Sequence, residues 1–221
     1  MPVRHRHPTQ RGFTLVEMLV VIVVLALLCA LVLSVLTSIR QQARRKDCAF
    51  NLSNIGKYCH LYADAAPNLG MFPTYGADPR KNGLKSLNLL YNGYLSDYWY
   101  FACPAANANR HMSQMANKIA KVALPDQTTA NMDPSHSAYG YSPGHKPAHA
   151  RVGIAADMAD DPARNSPNHG ADRPGQNVVT AAGSVMWLDS TNLPQESNDT
   201  PSDRLFLDDG LPPDQETFII Q

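Results

Sequence analysis

The sequence predicts an α+β chain: one long N-terminal helix, its first half apolar enough to span a membrane and its second half laid across a small antiparallel sheet. Three observations predict it. Met18 to Ile39 is 22 residues without a charge, and about 20 apolar residues cross a bilayer's hydrocarbon core as a helix. Cys48, Leu52, Ile55, Cys59 and Tyr62 then recur at steps of four, three, four and three, which is one apolar stripe on a helix. Near the other end, Asn177–Thr180 and Ser184–Leu188 flank Gly183, the pattern of a hairpin whose turn needs a positive φ.

The elements follow in order. The helix runs from about Phe13 to Ala63, with Arg44, Lys46, Asp47, Asn51, Asn54, Lys57 and also Arg45 mostly on its polar faces, and Pro67, Asn68 and Gly70 end it. Leu84, Leu87, Tyr91 and Leu95 predict a short helix within Gly83–Leu95. Met112, Met115, Ile119 and Val122 predict another, its methionines read as core. Tyr98–Phe101 is an aromatic run with strand propensity. Asp126–His149 is polar and rich in Pro and Gly, a loop or short edge strand around Tyr139-Gly140-Tyr141. Arg151–Ala156 reads as a strand ending at Asp157, Met158–Gly175 as a long loop, and the chain from Asp189 as an acidic, Pro-containing tail.

Composition narrows the function. The 221 residues carry no net formal charge, and nothing suggests nucleic-acid binding. About 180 residues beyond the apolar run suffice for one domain with its own core, and 17 Pro with 13 Gly make it loop-rich. Arg4, Arg6 and Arg11 precede the run while Arg40, Arg44, Arg45 and Lys46 follow it, so the positive-inside rule does not fix an orientation. Of four cysteines, Cys29 lies in the apolar run. Cys48 and Cys59 are eleven residues apart on one helix, roughly 16 Å of rise against the about 4.4–6.8 Å between the Cα atoms of a disulfide. Any bridge therefore uses Cys103, with Cys48 or Cys59 as partner.

Arg11-Gly12-Phe13-Thr14-Leu15-Val16-Glu17 opens the apolar run. A charge within such a run is costly, about 2.5–3.5 kcal/mol on insertion scales, so Glu17 calls for a use. The run exceeds the 7–15-residue core of a secretory signal, and no small-residue cleavage site follows it. The short basic leader, Gly12-Phe13-Thr14-Leu15-Val16-Glu17 and the unbroken run together resemble type IV prepilins and type II secretion pseudopilins. That resemblance implies several things. A prepilin peptidase cuts between Gly12 and Phe13 and N-methylates Phe13, and Glu17 then aligns subunits in a filament. The fold is pilin-like, divided into a leader (1–12), a membrane or filament-core half-helix (13–39), an exported half-helix (40–64), a globular part (65–188) and the tail (189–221). The chain sits in a bacterial inner membrane as a single pass, N-terminus cytoplasmic and globular part periplasmic or extracellular. Its partners are copies of itself, other pseudopilins, an inner-membrane assembly platform and lipid.

A second series reads Cys48-Ala49-Phe50-Asn51-Leu52-Ser53-Asn54-Ile55-Gly56, then Tyr62-Ala63-Asp64, Phe72-Pro73, Tyr94-Leu95 and Phe101-Ala102-Cys103-Pro104. It resembles pilin-like families of planctomycete- and lentisphaera-type bacteria, and that resemblance implies a Cys48–Cys103 bridge. Asn168-His169-Gly170, Gly175–Val179 and Ala182–Leu188 resemble the same families' C-terminal block, with Ala182 where the block has Asp and Ser184 where it has a second His. The preferred account of His169, Gly170, Asn177 and Gly183 is structural, His169 capping a loop against the hairpin and Gly183 making its turn.

Asp157, Asp160 and Asp161, with His169 nearby, are the candidate metal cluster. Major pseudopilins often hold calcium in a C-terminal loop, so the resemblance points to Ca²⁺, which takes six to eight oxygens. The spacing lacks D-x-D-x-D-G, and a solvated acidic loop explains the same residues better. There is no G-x-S-x-G, H-E-x-x-H or phosphate-binding glycine loop. His5, His7, His111, His136, His145 and His149 lie on polar segments without ligand spacing and read as exposed. The expected role is therefore a non-enzymatic filament subunit. The alternative is a membrane-anchored binding protein with a prepilin-type leader, recognising a partner through the loops around Asp157–Gly175.

Overall fold

The structure is a computed structural model that describes residues 12–65, 68, 70–76, 82–91, 93–95, 97–105, 137–158, 165–166, 169 and 174–192. Helix α1 spans Leu15–Asp64, α2 spans Gly83–Asn88, and strands β1 (Tyr139–Tyr141), β2 (Gly153–Asp157), β3 (Gln176–Thr180) and β4 (Val185–Leu188) form one sheet. The sheet is an antiparallel meander in the order β1-β2-β3-β4. This is the α+β layout expected from the sequence, a long helix and a small antiparallel sheet.

The chain divides into two units, Met1–Arg40 and Gln41–Gln221. In the first, α1 is rich in Leu, Val and Ile, and these side chains stand exposed along it: Leu15 is 82 % and Leu31 is 68 % exposed. β-branched residues are indifferent helix formers in water. Hydrocarbon changes the balance, because every backbone N–H and C=O must be paired within the segment, and a helix does that. Leu15–Asp64 is long and apolar enough to cross a membrane.

In the second unit the apolar stripe of α1 enters the core. Cys48, Leu52, Ile55 and Cys59 are fully buried and Ala63 nearly so, packed with Phe72, Tyr141 and Val179 among others. A buried Leu or Ile contributes about 1.5–3 kcal/mol relative to an exposed one. Gly56 lets the helix approach β3: a Cβ there would lie 2.8 Å from Val179 Cγ2, inside van der Waals contact. Past Asp64 the chain turns as Asn68 donates from its side chain to the Tyr62 carbonyl, and Gly70 takes φ 72°.

The hairpin forms where its pattern placed it. Gln176 pairs with Leu188 and Val179 with Val185, and Gly183 turns at φ 83° with its N–H on the Thr180 carbonyl. Tyr139–Tyr141 is an edge strand paired to β2. The Gly83–Leu95 segment is helical only to Asn88, yet Leu84, Leu87, Tyr91 and Leu95 are all buried.

Two readings are corrected. Tyr98–Phe101 is a 3₁₀ turn, not a strand. The Asp97 side chain accepts the Trp99 N–H at 2.9 Å and starts the turn, which buries Phe101 and leaves Trp99 half exposed. His145 is buried, not exposed: its Nε2 lies 2.8 Å from Ser142 Oγ and its Nδ1 3.4 Å from His149 Nδ1. The helix expected at Met112–Val122 and the tail beyond residue 192 lie outside the described residues.

Cys59 is a free, buried thiol whose Sγ lies 4.0 Å from Tyr141 Oη. Burial pushes its pKa up to about 12, whereas an unfolded thiol ionises at about 8.5. The neutral thiol therefore favours the folded state; that contribution is full below about pH 8.5 and is lost as pH climbs through the folded value. Iodoacetamide at pH 8 is expected to leave Cys59 unmodified in the folded chain and to alkylate it fully in urea. Peptide mass spectrometry reads the difference, and equal labelling in both states would refute the burial.

Candidate functional site

The expected processing site lies at the start of α1. Glu17 Oε2 accepts from the Thr14 N–H and from Thr14 Oγ1, both at 2.8 Å, while the Glu17 N–H donates to Thr14 Oγ1 at 3.3 Å. The Met18 N–H closes the first turn on the Thr14 carbonyl at 3.3 Å. This is a capping box, T-x-x-E, in which each residue satisfies an N–H that the helix end leaves open. Thr14 was not singled out from the sequence, although the spacing Thr14-x-x-Glu17 carries the signal. Gly12 and Phe13 precede the helix and are exposed, Phe13 at 73 %. A Cβ on Gly12 would touch nothing within 4 Å, so the bond between Gly12 and Phe13 is open on the described surface.

A second constellation lies inside the other unit. β2 ends at Asp157 and β3 runs beside it, which brings Asn177 against its carboxylate. Asp157 Oδ2 accepts from the Asn177 N–H at 2.7 Å, from Asn177 Nδ2 at 3.1 Å and from His169 Nε2 at 2.7 Å. With Nε2 as donor, His169 is the Nε2–H tautomer or the imidazolium. Asp157 Oδ1 and His169 Nδ1 are both buried and have no hydrogen-bond partner among the described residues.

Neighbouring groups close around this pair. The His169 ring meets the Trp187 ring edge-on, centroids 5.1 Å apart, and the Arg45 guanidinium lies 4.0 Å over Trp187. Asn177 Nδ2 also reaches the Arg45 carbonyl at 3.4 Å, tying β3 to α1. Cys48 of α1 is disulfide-bonded to Cys103. One ligand-type atom from each of Cys48, Cys103, Asp157 and His169 lies within 4.8 Å of the other three, all four residues buried.

Of the residues singled out from the sequence, the structure brings together Cys48, Cys103, Asp157, His169 and Asn177. Gly183 makes the turn at the far end of the same hairpin. Asp160, Asp161 and Gly170 lie outside the described residues. Arg45 and Trp187 were missed; their meeting joins residues far apart in the chain, and no local pattern announces it.

The disulfide closes a sequence separation of 55 residues, and the chain-entropy relation gives about 4 kcal/mol for a loop of that size. Reduction in chelator-treated buffer is expected to lower the unfolding free energy of the second unit by about that amount. Urea titrations with and without a phosphine reductant measure it, and an unchanged midpoint would show that the cross-link does not limit stability.

Neither a curated protein nor a solved structure matches the chain. Residues 8–33, however, match the family described as the prokaryotic N-terminal methylation motif. That stretch contains Gly12, Phe13, the Thr14–Glu17 cap and much of the apolar half of α1. The chain thus carries a prokaryotic N-terminal methylation motif, consistent with a type IV prepilin-like leader.

Proposed function

We propose that the protein is the precursor of a pilin or pseudopilin subunit that works by assembly and not by catalysis. The observation that carries this reading is the N-terminal methylation motif over residues 8–33, set on a helix apolar enough to cross a membrane. A prepilin peptidase removes residues 1–12 and methylates the new amine of Phe13. Before assembly the apolar half of α1 holds the subunit in the inner membrane, leader in the cytoplasm and the second unit outside it. The same exposed apolar surface then passes into a filament core with little change of environment.

Glu17 supplies the register. Its carboxylate pairs with the Phe13 ammonium of a neighbouring subunit, which neutralises two charges that are costly in an apolar surrounding. A head-to-tail contact that does not close on itself generates an open helix of subunits, here a periplasmic pseudopilus or a pilus-like fibre serving secretion or attachment. Intact mass and N-terminal sequence of the full chain from membranes containing a prepilin peptidase test the processing. A chain beginning at Phe13 and one methyl group heavier is expected. A chain still beginning at Met1 would overturn the reading and leave an anchored extracytoplasmic binding protein.

A further inference from the structure

We propose that the chain, while its thiols are reduced, binds one divalent cation of the zinc class between Cys48, Cys103, Asp157 and His169, and that formation of the Cys48–Cys103 disulfide expels it. The four residues come from α1, the stretch after the 3₁₀ turn, the end of β2 and the segment before β3. Their ligand-type atoms lie within 4.8 Å of one another. A tetrahedral zinc site has bonds of about 2.0–2.3 Å, so its ligand atoms sit roughly 3.3–3.8 Å apart. The widest separation, at most 4.8 Å, closes by about 1 Å, while the two sulfurs part once their bond is cleaved and the His169 Nε2–Asp157 Oδ2 hydrogen bond opens as both side chains turn to the cation.

The donor set selects the metal. Two thiolates, an imidazole and one carboxylate suit a borderline cation such as Zn²⁺, and they give Ca²⁺ or Mg²⁺ too few oxygens. A second observation points to a ligand. Asp157 Oδ1 and His169 Nδ1 are buried without a hydrogen-bond partner among the described residues, a condition that buried polar atoms rarely tolerate. Asn177 already fixes the carboxylate through Oδ2, the kind of support that orients a ligand from behind.

The chemistry balances. On binding, the Cys48 and Cys103 thiols release two protons and the two thiolates coordinate the cation. On oxidation, the coordinated thiolates give two electrons to the disulfide of a dithiol-type protein oxidant. The S–S bond forms between Cys48 and Cys103, the oxidant takes two protons from water and leaves as a dithiol, and the cation returns to solvent. All four residues are buried, so the cation enters before the second unit closes around it. It would join the same segments that the disulfide later joins, because binding at such a site is coupled to folding.

The test uses the full chain in detergent micelles, once with all four cysteines and once with Cys29→Ser and Cys59→Ala, so that only the pair remains. Zinc affinity is measured by competition with a chromophoric chelator after refolding from urea with metal and chelator present, on phosphine-reduced and on oxidised protein. The reduced chain is expected to bind one Zn²⁺ at least about 100-fold more tightly than the oxidised chain. His169→Ala and Asp157→Asn are each expected to weaken binding at least about 10-fold. Cobalt is expected to show thiolate charge-transfer and tetrahedral bands in the reduced chain. Equal zinc affinity in the two redox states would overturn the proposal. So would cobalt binding without thiolate bands, or unchanged affinity in both His169→Ala and Asp157→Asn. The redox comparison needs no substitution, so a variant that fails to fold does not blunt it.

Discussion

Glu17→Val is expected to insert in the membrane and to lose its leader like the parent chain, and to form no filament. Insertion survives because the substitution removes the one charge in the helix start and lengthens the apolar run, a gain of about 2.5–3.5 kcal/mol if the position lies deep in lipid. Cleavage survives because the bond between Gly12 and Phe13 lies outside the helix. Two contributions are lost. The capping box with Thr14 is worth about 0.5–2 kcal/mol to the helix start, too little to unravel a 50-residue helix. The other, on the proposed filament reading, is the partner for the Phe13 ammonium of the next subunit, which would stand unpaired in an apolar filament core, and breaking a buried pair this way costs about 3–5 kcal/mol at every contact. Repeated along a polymer, that second loss decides the outcome. Glu17→Gln separates the two: it keeps an oxygen for Thr14 and discards the charge, and it is expected to fail in assembly as Glu17→Val does. Processed subunits are counted in sheared or sedimented filaments against those left in membranes. Parent levels of filament in Glu17→Val would sink the role, and parent levels in Glu17→Gln alone would assign it to the cap.

How far the chain could be read in advance follows the range of each interaction. The buried stripe Cys48, Leu52, Ile55 and Cys59 was legible because a helix repeats its contacts every three or four residues, and those contacts are all to one core. The hairpin was legible because Gly183 fills a turn position with φ 83°. Tyr98–Phe101 misled because aromatic strand propensity expresses fit to a pleated surface, whereas the Asp97 cap holds this run in a turn. The buried cluster was only half legible. Asp157 and His169 were both singled out, but Asp157 was grouped with its sequence neighbours Asp160 and Asp161. Its carboxylate instead bonds across the strand to Asn177 and across a loop to His169. Arg45 was assigned to a polar face of α1 and instead lies over Trp187, a contact made only once helix and hairpin have met.

Asp157→Ala is expected to remove much of the stability of the second unit. Three donors converge on Asp157 Oδ2, and their hosts are buried: Asp157 fully, His169 and Asn177 to within 8 % and 4 %. Removing the acceptor leaves the Asn177 N–H and His169 Nε2 without this partner, while Asn177 Nδ2 keeps the Arg45 carbonyl, and each buried orphan costs about 1–3 kcal/mol. The expected loss is therefore about 2–6 kcal/mol, a large part of the roughly 5–15 kcal/mol that holds a typical domain. Asp157→Asn places its oxygen where Oδ2 stood and its NH₂ where the unpartnered Oδ1 stood, so the three donors keep an acceptor that has lost its charge, and about 1–2 kcal/mol is expected. Urea unfolding of the oxidised chain measures both, followed by tryptophan fluorescence, to which Trp187, packed edge-on against His169, contributes beside Trp99. His169→Ala combined with Asp157→Ala completes a cycle. If the two side chains act on each other, the double variant loses less than the sum of the single losses, by about 0.5–3 kcal/mol. Additive losses would mean that His169 owes its place to Trp187 and not to the carboxylate. An unfolding midpoint in Asp157→Ala equal to the parent's would mean that the junction of β2, β3 and α1 is held by packing and the Cys48–Cys103 cross-link alone.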